Sequence, residues 1–169
     1  QHAHHLYNAC LLASLPAVAI CANSPFFDQR CLWDSARIAL FEQAVCSTKT
    51  TDKRVGLGTG FLQNSITELY QQNLTFKDYI NEDIETNFST DSLDHLRYHN
   101  ATVWRWVRPR MSIDSAHLAV MRIESRVFGS GPSIIDMVAN IAFFTGLVYF
   151  LLALPKHSSE LIPFDDFQT

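Results

Sequence analysis

The segment from Ser133 to Leu154 constrains this chain more than any other, because it is strongly apolar over about 20 residues, long enough for a helix to cross a bilayer. A stretch of that kind must be covered by protein or lie in lipid. Ser133 followed by Asp136 is a capping-box pattern, Pro132 precedes it, and Pro155 ends the run. Ser133, Asp136 and Asn140 share one helical face, and an ionised Asp136 is costly inside lipid. These features predict a buried core helix rather than a membrane span. A membrane-anchored or interaction protein, with this segment spanning or lying on a bilayer, is the competing reading.

With 169 residues, 47% of them hydrophobic, the chain can bury the core of one domain. It begins on Gln1 rather than Met and runs almost directly into a helical pattern, so residues 1–169 read as a single partial domain cut from a longer protein. The formal charge of -4 gives no basic field for nucleic acid, and no run of lysine and arginine marks an anionic membrane surface. Cys10, Cys21, Cys31 and Cys46 are spaced by ten or more residues, which fits neither a zinc site nor a disulfide scaffold. Reduced core thiols follow, and with them a cytoplasmic location. Sequons at Asn73, Asn87 and Asn100 would matter only in a secreted protein.

Helical spacing of apolar residues predicts a largely buried helix from Leu6 to Ala22, kinked or split at Pro16. A second helix is expected from Asp34 to Val45, with Asp34 or Ser35 as its cap, and a third from Leu62 to Gln72 after a glycine turn at Gly56, Gly58 and Gly60. Phe76 to Ile80 reads as a short helical turn and Asn81 to Asp94 as an acidic surface. Strands are expected at Ala101 to Arg108, halted by Pro109, and at His117 to Phe128, paired antiparallel. The resulting class is α+β, an antiparallel sheet backed by helices.

Within Arg122-Ile123-Glu124-Ser125-Arg126 the two-residue period of a strand puts Arg122, Glu124 and Arg126 on one face. A carboxylate between guanidiniums stays ionised, can ligate a hard cation such as magnesium, and leaves the arginines to grip phosphate or carboxylate. A solvated face with cross-strand ion pairs is the plainer meaning of the same pattern. Arg105 and Arg108 add further positive charge if the two strands pair, although on an ideal strand they face opposite ways. Arg37 alone is a helix-surface arginine near Asp34, and the Gly56 to Gly60 run reads as turn chemistry. His2, His4 and His5 sit at the chain's start and are given no site.

The chain resembles bacterial glutamate–cysteine ligases of the glutamine synthetase-like fold. The resemblance is carried, in order, by Cys21 to Phe26, Leu32 to Arg37, Leu40 to Gln43, His99 to Trp106, Arg122 to Arg126, Gly131 to Asp136, and Ala139-Asn140. It implies the C-terminal half of an ATP-dependent carboxylate–amine ligase that forms γ-glutamylcysteine through an acyl phosphate. ATP and Mg2+ are the implied cofactors, and glutamate with cysteine, or another amine, the implied substrates. By position in the motif, Glu124 would be a magnesium ligand, weak on its own, and Arg126 would contact the glutamyl phosphate or glutamate as a catalytic residue. Arg105, also catalytic, and Arg108 would face ATP phosphates, while Arg37 and Arg122 would bind substrate. Val107 stands where the family pattern carries a polar residue, and Phe128-Gly129 where it carries Leu-Pro. A family member that is inactive, or that ligates another amine, would carry the same residues.

Overall fold

A computed structural model describes residues 2–45, 54–76, 91, 93–115 and 118–167. Helix α1 (Ala3–Cys21) lies at the centre and runs unbroken past Pro16, so the expected split does not occur. Its Asn8 is 2% exposed, donates to the Leu62 carbonyl (2.7 Å) and accepts from the Leu62 amide (2.9 Å), which ties the helix to the segment before α3 (Thr67–Asn73). A buried amide satisfied on both sides in this way fixes register as well as contributing stability. Helix α3 begins five residues later than its pattern suggests. The turn ahead of it is held instead by the Glu68 carboxylate, which accepts from the Gln63, Asn64 and Ser65 amides.

A two-residue hairpin, β1 (Phe26–Phe27) with β2 (Arg30–Cys31), leads into α2 (Ala36–Val45), close to the expected span. The Ala36 amide at its start donates to the Ser24 carbonyl (3.3 Å). Helix α4 (Asp94–Thr102) then occupies the first part of what was expected to be a strand. Thr102 bonds back through its hydroxyl to the His99 carbonyl (2.8 Å), so the β-favouring residues there close a helix rather than open a strand. Strand β3 is Val107–Ile113 and runs straight through Pro109. The proline does not halt it because β3 is an edge of a two-stranded ribbon, where a missing N–H is tolerated. Its partner β4 is Ala119–Ser125, antiparallel as expected, with Arg108 opposite Glu124 and Arg110 opposite Arg122. The expected helix at Phe76 to Ile80, the acidic stretch before Asp94, Cys46, Asn87 and His117 fall wholly or largely outside the described residues.

Tyr7, Leu11 and Ala13 of α1 pack with Leu62, Leu69 and Val107 in the main core, and Val148 and Leu151 join from α5 (Ile134–Ala153). A second cluster, Ala17, Val55, Trp106 and Val127, is flanked by Ile38 and Phe41 of α2 and by Trp104. The α+β class stands, with small antiparallel sheets backed by helices. Helix α5 starts at the expected cap: the Asp136 amide donates to Ser133 Oγ (3.3 Å), and the Asp136 carboxylate accepts from the Ser133 hydroxyl. The expectation that α5 is a buried core helix is corrected. Only 11% of its apolar window is buried, and Ile134, Ile135 and Tyr149 are 75%, 80% and 70% exposed. Both α1 and α5 are long and apolar enough to cross a membrane by length and composition, but over half of α1's window is buried.

Candidate functional site: an arginine cluster at the end of the ribbon

Strand alternation puts Val107 and Ile123 of the ribbon into the main core and Arg108 and Glu124 on the opposite face. Arg108 Nε donates to Glu124 Oε2 at 2.9 Å, and Arg126 Nε lies 3.3 Å from Glu124 Oε1. The carboxylate therefore bridges two guanidiniums. Their side chains are 11% and 12% exposed against 33% for Glu124, so the anion has the widest access to solvent and the cations are partly covered. Burial is the largest influence on the Glu124 carboxyl and acts upward, but the Arg108 hydrogen bond and the charges of Arg108 and Arg126 outweigh it and hold the group below its usual range. Burial, reinforced by the charge of Arg108, lowers Arg126, yet a guanidinium starts so high that it stays charged.

Arg126 lies just past β4, where its amide donates to the Trp106 carbonyl (2.8 Å). Its guanidinium lies over the Trp104 ring, 4.0 Å from the centroid. Trp104 in turn stacks on Phe41 of α2 at 4.8 Å. Two buried donors here have no acceptor among the described residues: Arg126 Nη1 and Trp104 Nε1. A buried N–H without a partner is costly, and two at one place suit an incoming oxyanion.

The expected site residues divide into three groups. Arg108, Glu124 and Arg126 come together, and Arg37 joins them. Arg37 donates from Nε (3.0 Å) and Nη2 (2.8 Å) to the Arg126 carbonyl and lies over the Phe41 ring, so its fork clamps the chain that carries Arg126. Arg122 shares the sheet face with Glu124 but is exposed, donates to Ser112 Oγ (2.9 Å), and faces Arg110 across the ribbon. Arg105 is 4% exposed and lies outside the strand: its Nε donates to Asn73 Oδ1 (3.3 Å), and it lines a separate open cleft of about 1910 Å³ with Gly56, Phe76 and Trp106. The Gly56 run bends the chain rather than forming a simple turn: Gly56 bridges Arg105, its amide donating to the Trp104 carbonyl (3.1 Å) and its carbonyl accepting from the Trp106 amide (3.0 Å), with Gly58 at φ +105° and the Thr59 amide donating to Gln72 Oε1 (3.4 Å).

Sequence reasoning missed Arg110, Asn73 and Asn100. Had the strand been carried through Pro109, the period of two would have placed Arg110 beside Arg108. Asn73 registered only as a sequon, and Asn100 as a sequon and a member of the His99 to Trp106 motif, yet they are 0% and 6% exposed and hydrogen-bonded to each other, beyond the reach of a glycosyl group.

Magnesium prefers six oxygens in octahedral array. Glu124 is one carboxylate with each oxygen on a guanidinium, and no group of three His, Cys, Asp or Glu among the described residues gathers to hold a metal ion. The described residues do not by themselves make a magnesium site around Glu124.

A model of the glutamate-cysteine ligase family 2 matches residues 6–160. The chain belongs to glutamate-cysteine ligase family 2. The match takes in α1 through the turn after α5, and so covers the arginine cluster together with the cleft at Arg105. As a member of this family the chain has glutamate-cysteine ligase-like character, with small molecules such as amino acids as its substrate class. No curated protein and no solved structure gives a significant match.

Proposed function

We propose that this family member takes part in ATP-dependent ligation of the glutamate γ-carboxylate to the amine of cysteine, and that the Arg108–Glu124–Arg126 cluster receives the negative charge of the reaction. The observation that carries this reading is the pair of unsatisfied buried donors, Arg126 Nη1 and Trp104 Nε1, beside a carboxylate already neutralised by two guanidiniums. Such a place favours a phosphoryl or carboxyl oxygen over a cation. In the first step a γ-carboxylate oxygen attacks the terminal phosphorus of ATP and ADP leaves. In the second the free amine of cysteine attacks the acyl carbon, phosphate leaves, and the amine loses its proton. Both steps crowd negative charge, so fixed cations preorganised in a partly dry site lower the barrier.

Arg126 contacts the glutamyl phosphate in this account, and Arg108 faces the ATP phosphates. Arg37 positions Arg126 through its carbonyl rather than touching substrate. Arg122, with Arg110, offers an exposed positive edge for substrate approach. Arg105 offers a guanidinium to an anionic group in the neighbouring cleft. Magnesium enters with ATP as part of the substrate, and no step is routed through a protein-held ion. A reducing cytoplasm is the proposed setting, in keeping with Cys10, Cys21 and Cys31, which are unpaired.

The test is ADP release that requires magnesium and glutamate, measured with and without cysteine, beside Glu124→Gln. Stimulation by cysteine that falls by at least about tenfold in the variant is expected, since a charge-assisted hydrogen bond is lost from the cluster. Turnover unchanged by Glu124→Gln would sink the assignment of the site.

A further inference from the structure

We infer that Asn73 and Asn100 are positioning residues, forming a buried amide relay that fixes the Arg105 guanidinium in its cleft relative to the Arg108 guanidinium, which lines a second cleft with Tyr70, Asn100 and Arg110. The inference rests on the ligase reading, in which both arginines meet anionic groups. Arg105 Nε donates to Asn73 Oδ1 (3.3 Å), Asn73 Nδ2 donates to Asn100 Oδ1 (3.1 Å), and Asn100 Nδ2 donates to the Pro109 carbonyl (2.9 Å). Arg108 Nη1 reaches the Asn100 main-chain carbonyl at 3.4 Å. Three elements meet here, because Asn73 ends α3, Asn100 belongs to α4, and Arg108 and Pro109 belong to β3.

The chemistry at the two ends sets the direction of the relay. A guanidinium only donates, so Asn73 must turn its oxygen to Arg105 and its nitrogen to Asn100. A proline carbonyl only accepts, so Asn100 must turn its nitrogen to Pro109. Neither amide can flip without setting like poles against each other in a site closed to water. Movement of Arg105 on substrate binding is therefore felt at Asn100, and through its main chain at Arg108. Asn73→Asp keeps an acceptor for Arg105 but confronts Asn100 with a second oxygen. If Asn100 flips to meet it, the conflict moves to the Pro109 carbonyl. Asn73→Leu removes both bonds.

The experiment follows the Arg105 and Arg108 Nε–H resonances by NMR, assigned through single Arg→Lys variants, with inorganic tripolyphosphate as the anionic probe. In Asn73→Leu the Arg105 signal should be lost to solvent exchange. In Asn73→Asp it should persist. In both the Arg108 signal should shift, although residue 73 does not touch it, and in Asn73→Leu tripolyphosphate affinity should fall about tenfold, as for loss of a hydrogen bond to a charged group. A cluster that merely held the fold together would leave Arg108 unmoved in a folded Leu variant, which adds no charge. An unchanged Arg108 signal in a folded variant overturns the relay, and if the Leu variant does not fold, the Asp variant decides alone. Wild-type protein that binds no tripolyphosphate would instead count against the ligase reading, while the arginine signals still decide the relay.

Discussion

Glu124 holds two guanidiniums by its two oxygens, and that arrangement gives its titration a definite sign. Its folded pKa lies below the usual carboxylate value of 4.5, so the stability it contributes is present above that pH and is lost as pH falls through the folded value. The difference in Tm between wild type and Glu124→Gln should therefore hold at neutral pH and close as the pH is taken below 4.5. A difference that widened on acidification would mean that the pair is not formed. At this scale the site was half legible. The charged triplet from Arg122 to Arg126 stood out because like-sided charges cannot be buried in a core, and Arg108 was found with it. What escaped was how guanidiniums are used. A sequence shows that Arg37 and Arg105 exist, but not that one grips a main-chain carbonyl and the other an asparagine amide. Asn73 and Asn100 were still less visible, since a buried amide carries no periodicity and is recognised only by its partners.

Elements whose signal is local were read well. Helix α2 starts and stops within two residues of its pattern, and α5 begins at its expected cap, where Ser133 and Asp136 bond to each other. Ser133→Ala should cost about 1 kcal/mol, seen as a fall in Tm of about 2–4 °C for a chain of this size. No fall in Tm would show that the cap is dispensable. Elements whose conformation depends on distant partners were misread. The residues Ala101 to Trp104 favour strand by composition, but the α4 helix reaches Thr102 because Asn100 is held from both sides by Asn73 and Pro109. Pro109 is a breaker by rule and a strand residue by circumstance, since only the assembled ribbon reveals that it lies on an edge strand. The same circumstance placed Arg110 on the site's face. Pro16 likewise passes through α1 without ending it.

At the scale of the molecule, α1 organises everything: α5 packs on it, β3 and β4 rest against it, and the two apolar clusters are arranged along its length. Helix α5 is covered on the side of Val148 and Leu151 and leaves Ile134, Ile135, Val138, Ile141 and Phe150 exposed. That surface is what keeps the membrane alternative in play, and fractionation separates the readings. Recovery in the soluble extract is expected of the ligase, because the charged ribbon face and the packed α1 make a water-facing fold, whereas retention in carbonate-washed membranes would favour a bilayer at α5. Oxygen transfer tests whether glutamate is activated as an acyl phosphate at the Arg108–Glu124–Arg126 cluster. Glutamate carrying ¹⁸O in its γ-carboxylate is incubated with MgATP, cysteine and the protein, and the released phosphate is analysed by mass. One ¹⁸O is expected in the phosphate, at a rate that falls sharply in Arg126→Met. Phosphate released without ¹⁸O would contradict acyl-phosphate activation, since the carboxylate oxygen would then never have been joined to phosphorus.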